Sequence, residues 1–427
     1  MNKLSFREKY SYGIGALGKD LAYAIVSSYL MIYFTDAIGL NPAFVGVLFL
    51  VARMWDAFND PMMGMVVDNT RSKWGKFRPW ILIGTVVNAA VVVFLFKKPN
   101  LEGNVLYVYY SVMYILWGMT YTIMDIPYWS MIPSLSSDKE EREKISVIPR
   151  IFASSAWLLM GAFGLSLIDK LGNGNEIKGY ELLAIGVAVI FVIATLIIVF
   201  NVKEQVEVKN NTEKVNFRQT LNIIRKNDQL LVIIASVIIF QVAQFLYSGF
   251  LVYFFTYAIQ DLNLYATFVA IGTVTQVAAL MLFPRISKVV GRKHVYTIAC
   301  IFTVLGFGGM FVVSGIGNSI LLCVTGIAYN LGVGLINGAT TVMISNAVDY
   351  GEYKLGKRSE SIIFSAQTFI VKFSTAFSGL IIGFGLSLIK YVPNATQSAS
   401  TIFGMKVIMF LIPAILMVFC AIVYSKC

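Results

Sequence analysis

Runs of about 20 apolar residues recur along the whole chain, parted by short polar connectors, and each is long enough to cross a ~30 Å hydrocarbon layer as a helix. The pattern predicts twelve helical spans, at residues 10–35, 43–67, 79–97, 105–131, 146–168, 182–201, 230–257, 264–284, 294–314, 319–345, 361–389 and 403–424. The longest polar segment, 202–229, carries Glu204, Glu207, Lys209, Asn210, Asn211, Glu213 and Lys214 and leaves six spans on either side. The expected organisation is therefore an N-terminal six-helix bundle (1–201), a cytoplasmic middle loop (202–229) and a C-terminal six-helix bundle (230–427). A weak internal echo relates the halves. The loop after span two reads GMVVDNTRSKWGKFRPW and the loop after span eight FPRISKVVGRKHVY, each setting a Gly and a basic cluster at the start of the next helix.

Composition narrows the class to an all-α membrane protein. Of 427 residues, 57% are hydrophobic and only 13% charged, with a mean hydropathy of +0.73, more apolar than a soluble core requires. Cytoplasmic loops collect Lys and Arg. Of the 34 such residues, five (Lys97, Lys98, Lys170, Lys178 and Lys390) fall in one set of loops and five (Lys19, Arg53, Arg150, Lys372 and Lys406) within spans; the rest fall on the opposite side with both termini. Both termini are thus expected in the cytoplasm, with the chain in the inner (cytoplasmic) membrane. The net charge of +11 reads as a topology signal at the inner leaflet, with no nucleic-acid partner implied. The first span holds Lys19 and Asp20 at its middle and no cleavage site follows it, so it reads as retained. Cys300, Cys323, Cys420 and Cys427 lack metal-like spacing, and His294 lies beside Arg292 and Lys293 in a loop.

The candidate chemistry lies in charges inside the spans: Asp20, Asp56, Asp60 and Asp125. A charged side chain at mid-bilayer costs from about 2.5 to more than 10 kcal/mol, so such groups normally face a cavity and bind something. In span two, VARMWDAFNDPMMG sets Arg53, Asp56 and Asp60 at i, i+3 and i+7 on one helical face, with Asn59 beside them. Two carboxylates and an amide carbonyl on adjacent turns suit a hard cation, and Pro61 frees a backbone carbonyl one turn earlier. The competing reading is a buried ion pair in which Arg53 neutralises one aspartate, which leaves the other unexplained. In span four, YILWGMTYTIMDIPYWSMIP sets Thr122, Asp125 and Trp129 at i, i+3 and i+7, with Tyr121 adjacent. A carboxylate flanked by aromatic rings is the chemistry of a sugar pocket: the acid accepts from hydroxyls and a ring face covers C–H surface. Trp117 and Tyr128 are expected as lipid-belt or packing residues. Lys19 and Arg150 are donors suited to sugar oxygens or to Asp125, or to charge compensation alone. Lys19 and Asp20, as adjacent residues, are not expected to point along one line.

A 6+6 arrangement with these loops resembles the major facilitator superfamily, in which two bundles rock about a central cavity. The segments YGIGALGKD, FLVARMWDAFNDPMMG, RSKWGKFRPWILIGT, YILWGMTYTIMDIPYWS, VDYGEYKLGKR and AQTFIVK resemble, over nearly the whole chain, the melibiose permease branch of the glycoside-pentoside-hexuronide:cation symporter family. The resemblance implies a cation site at Asp56, Asn59, Asp60 and Thr122, taking sodium or alternatively lithium or a proton. It implies sugar recognition by Lys19, Asp20, Tyr121, Asp125, Trp129 and Arg150, joined by Gln367, Thr368 and Lys372 from span eleven. The second half departs from the pattern at Asn337 and Asn346, where the branch carries a bulky aromatic and an acid. The function so implied is symport of a galactoside such as melibiose with a monovalent cation by alternating access, without a cofactor, in a chain whose helix faces demand no partner subunit. Related symport of another glycoside, pentoside or hexuronide, and uncoupled facilitation of another organic solute, stand as alternatives. An enzyme is not expected, because no Ser or Cys is set against an acid and the single His is in a loop.

Overall fold

The computed structural model describes residues 4–136, 139–204, 228–355 and 360–425, and these fold as helices with no strand among them. The chain divides into two compact units, Met1–Asn210 and Asn211–Cys427. Most of the polar segment expected as a middle loop, 205–227, lies outside the described residues.

In the first unit the elements are α1 (Phe6–Ile32), α2 (Pro42–Asp68), α3 (Arg78–Leu95), α4 (Gly103–Ser130), the short α5 (Ile132–Leu135), α6 (Lys139–Gly172) and α7 (Glu176–Asn201). The helix starts follow local capping chemistry. Ser5 and Glu8 form a capping box at α1, each side chain accepting the other's backbone N–H, and Asn41 accepts from the N–H groups of Ala43 and Phe44 just before Pro42 opens α2. The Glu204 carboxylate does the same from a distance: it accepts from the N–H groups of Lys76 (2.8 Å), Phe77 (2.9 Å) and Arg78 (3.4 Å), tying the start of α3 to the chain just past α7. Within the unit α1 packs on α6 and α7, α3 on α4 and α7, and α2 on α4.

The second unit holds α8 (Asp228–Tyr253), α9 (Leu262–Val290), α10 (Arg292–Val313), α11 (Ser319–Leu355), α12 (Glu360–Leu388), α13 (Ala399–Lys406) and α14 (Ile412–Tyr424), the last two joined by a π-helical stretch into one span. Its packing repeats that of the first: α8 lies on α12 and α14, α10 on α11 and α14, and α9 on α11. Both leading helices also run on into a π-helical stretch, Tyr33–Ala37 after α1 and Phe254–Ile259 after α8. The faint echo between the two halves of the sequence is thus matched by a repeated three-dimensional plan.

Twelve long helices are present among the described residues, at the positions that the apolar runs predict, with ends set by caps and polar turns beyond those runs. Nine of these stretches are long and apolar enough by composition to cross a membrane. The three outside that set, α1, α2 and α4, are 27, 27 and 28 residues long. Asp20, Asp56, Asp60 and Asp125 all lie on these three helices.

One close approach positions α4. A Cβ on Gly84 of α3 would stand 2.6 Å from the Met124 nitrogen and 2.9 Å from the Ile123 carbonyl carbon, so the two backbones touch there. Gly84→Val is therefore expected to cost about 1–3 kcal/mol by overpacking and to lower the thermal unfolding midpoint in detergent by several degrees. Gly186→Ala, in open space on α7, should leave the midpoint unchanged or raise it slightly. Equal midpoints for the two variants would show that α3 and α4 are not in backbone contact.

Candidate functional site

The residues expected to recognise sugar meet where α1 and α4 face each other. Lys19 lies wholly inside the unit, and its ammonium donates to Asp125 Oδ1 at 2.8 Å and stands 3.1 Å from Asp20 Oδ2. Although Lys19 and Asp20 are neighbours in sequence, the four-carbon stem of the lysine lets its head reach both acids, which corrects the expectation that the two side chains diverge. The same ammonium lies 3.4 Å from the Tyr121 hydroxyl and 5.1–5.7 Å from the ring centres of Trp129, Tyr128 and Tyr121. Trp129 donates its indole N–H to Asp125 Oδ1 at 3.1 Å, one helical turn away. Both internal donors converge on Oδ1. No hydrogen bond among the described residues uses Asp125 Oδ2, and the side chain is 29% exposed. A carboxylate braced on one oxygen and open on the other is ready to accept ligand hydroxyls.

The α2 set forms a second cluster against α4. Arg53 donates Nη1 to Asp56 Oδ2 at 2.9 Å, and both side chains are nearly buried. Asp56 turns Oδ1 toward Gly118, where an added Cβ would stand only 3.0 Å away, so a glycine on α4 is what admits the carboxylate. Asp60 accepts from the Thr122 hydroxyl at 3.0 Å. Asn59 lies between the acids in sequence with a buried Nδ2 that has no hydrogen-bond partner among the described residues. Two carboxylates, an amide and a hydroxyl form an oxygen-rich donor set of the kind hard cations take. These donors are carboxylate, amide and hydroxyl groups, with no thiolate or imidazole among them.

The two clusters share α4. Thr122 and Asp125 are one turn apart on that helix, and the first bonds to α2 while the second bonds to α1. Paired tyrosines brace α1 against α4 nearby: the Tyr12 and Tyr128 rings stack at 4.5 Å, the Tyr12 hydroxyl donates to the Tyr128 carbonyl, and the Tyr128 hydroxyl donates to the Tyr12 carbonyl at 2.8 Å.

The remaining expected residues are placed differently. Arg150 is exposed on α6 and joins none of these bonds. In the second unit Lys372 is half-buried on α12, while the side chains of Gln367 and Thr368 on that helix lie outside the described residues, as does that of Asn346. Trp117 and Tyr128 are 1% exposed and so pack internally rather than in a lipid belt. The Trp117 ring lies 5.4 Å from the Arg53 guanidinium and so belongs to the site's wall. Tyr23, whose hydroxyl accepts from Arg53 Nη2 at 3.4 Å, was not foreseen; its spacing of four from Lys19 on α1 is the signal that marks it. Cys420 packs structurally, with its sulfur 3.3 Å from the Ser236 carbonyl oxygen.

A family model described as MFS/sugar transport protein matches residues 11–426. An uncharacterized symporter of Bacillus subtilis (strain 168) is 32% identical over 427 residues, covering 97% of this chain and 90% of the relative. The isoprimeverose transporter of Lactiplantibacillus pentosus is 30% identical over 403 residues, covering 94% and 84%. In fold, the chain is similar to the crystal structure of a bacterial homolog to the human lysosomal transporter Spinster, in its inward-facing and unoccupied conformation. That likeness has a TM-score of 0.74 at 11% identity over 99% of this chain and 97% of that one.

Proposed function

Because the chain belongs to the family of MFS/sugar transport proteins, a family of multi-pass membrane transporters and not of enzymes, we propose that it imports a sugar by symport with a monovalent cation. One observation carries the coupling: adjacent turns of α4 hold Thr122 against the α2 acids and Asp125 against Lys19, so a ligand at one cluster bears on the helix that presents the other. The cation site is Asp56, Asn59, Asp60 and Thr122. Sodium is the proposed ion, with lithium or a proton as alternatives, and it is a co-substrate. The sugar site is Asp125, Trp129, Lys19, Asp20 and Tyr121, completed by Arg150, Gln367, Thr368 and Lys372.

In this reading a bound cation neutralises the α2 acids and holds Thr122 to α2, which sets the turn carrying Asp125 and Trp129. Asp125 Oδ2 accepts sugar hydroxyls, Lys19 and Asp20 supply a donor and a further acceptor, and the Trp129 ring covers C–H surface. Linkage requires that sugar tighten the cation by the same factor as the cation tightens sugar. Loaded and empty forms then exchange between outward and inward openings, and singly loaded forms are disfavoured.

The proposed cargo is a galactoside such as melibiose, carried into the cell across the inner membrane by a monomer with both termini in the cytoplasm. Another glycoside, pentoside or hexuronide is the alternative cargo, supported by the relative named as an isoprimeverose transporter. Calorimetric titration of melibiose and a glycoside panel into purified protein, in sodium and in choline buffer, tests this reading. Melibiose binding that is tightened at least about fivefold by sodium is the expected result. Equal affinities in both buffers would leave an uncoupled facilitator, and binding confined to another sugar would reassign the cargo.

A further inference from the structure

We propose that Tyr23 is a positioning residue that carries occupancy of the α2 acids to the Lys19–Asp125 pair, an inference that rests on the symport reading above. An unbroken line of contacts joins the clusters, and Tyr23 is its middle link. From Asp56 the line passes to Arg53 at 2.9 Å and from Arg53 Nη2 to the Tyr23 hydroxyl at 3.4 Å. The Tyr23 ring meets the Tyr121 ring at 5.2 Å between centroids, and the Tyr121 hydroxyl accepts from Lys19 at 3.4 Å, which holds Asp125 at 2.8 Å. Tyr23 also supports the guanidinium through its ring face, 5.8 Å from the Arg53 carbon, and leans on Trp117 at 5.6 Å.

The chemistry of Arg53 explains why a tyrosine is needed. A guanidinium keeps its charge and has five donors but no acceptor, so a nearly buried one must retain partners in every state. A cation arriving at Asp56 competes with Arg53 for the same carboxylate, and two positive charges on one acid repel. Arg53 then relies on the hydroxyls of Tyr23 and Tyr114 and on the flanking rings of Tyr23 and Trp117. A shift of Arg53 toward Tyr23 presses on Tyr121 and, through it, on Lys19. The Tyr23 hydroxyl is the acceptor in this hand-over, and the ring is the part that transmits it.

The test is a pair of variants, Tyr23→Phe and Tyr23→Leu, titrated with melibiose with and without sodium and with sodium with and without melibiose. In the wild type the ratio of the two sugar affinities should fall within about 5 to 150. In Tyr23→Phe that ratio should drop to below about 2, while sugar affinity without sodium and the thermal midpoint stay close to wild type. Tyr23→Leu should lose the ratio as well, because it removes the ring. A merely structural role would weaken both ligands together with the ratio intact, and that result, or a wild-type ratio in Tyr23→Phe, would overturn the role of Tyr23 alone. A ratio of one in the wild type would overturn the symport reading and this inference with it.

Discussion

An Asp125→Asn variant is expected to bind sugar about 30- to 150-fold more weakly than the wild type, while still binding sodium. The amide keeps the volume of the carboxylate and can still accept the Trp129 indole N–H, so the fold of α4 should survive. What it loses is the charged acceptor at the open position: with its one oxygen held by Trp129 and Lys19, the amide presents N–H there, to which a sugar hydroxyl must turn round and accept through a neutral bond. A hydrogen bond to a charged acceptor contributes about 1.5–3 kcal/mol, against 0.5–1.5 for a neutral one, and two sugar hydroxyls thus lose roughly 2–3 kcal/mol between them. Lys19 retains Asp20 at 3.1 Å, so the substitution does not strand a buried ammonium. Calorimetry with melibiose and, separately, with sodium reads both halves of this expectation. Unchanged sugar affinity would remove Asp125 from the site, and equal loss of both ligands would mean that the two clusters are one.

Asp60→Asn is expected to do the reverse, abolishing the tightening of sugar by sodium and leaving weak sodium-independent sugar binding in place. Asp60 is a better target than Asp56 for a physical reason. Asp56 is the ion-pair partner of Arg53, and removing one member of a nearly buried pair costs about 3–5 kcal/mol through the charge left behind. Asp60 accepts the Thr122 hydroxyl, and an amide carbonyl can accept it equally well, so the substitution keeps that bond while removing one negative charge from the cation's donor set. Sugar affinity of the variant in choline buffer should lie within about threefold of wild type, and adding sodium should change it by less than about twofold, against the 5- to 150-fold range usual for coupled sites. A variant that still responds fully to sodium would place the cation elsewhere.

The sequence disclosed those relations that depend on spacing along one helix. Arg53, Asp56 and Asp60 share a face of α2 because i, i+3 and i+7 coincide on any α-helix, and the same arithmetic aligns Thr122, Asp125 and Trp129 on α4. The acids were conspicuous because each is a charge inside an otherwise apolar run, on α1, α2 and α4. Relations across helices were not legible, because they depend on how each helix is rotated against its neighbour. No spacing states that Thr122 takes Asp60, or that Gly118 opens the space for Asp56. Lys19 reaching Asp20 was hidden by the assumption that a side chain follows its Cα–Cβ direction, which a long flexible stem need not do. Tyr23 carried no charge to draw notice, and spacing left Trp117 open between a lipid-belt and a packing role, which its contact with Arg53 of α2 decides.

Uptake of radiolabelled melibiose into right-side-out membrane vesicles, at fixed pH and with an inward sodium gradient imposed or withheld, tests the coupling most directly. Accumulation above the external concentration only when the sodium gradient is present is the predicted result, and it should vanish in Asp60→Asn. Equilibration to the external concentration with or without the gradient would contradict symport and make the chain a facilitator; accumulation driven only by a pH gradient would turn the α2 cluster into a proton site.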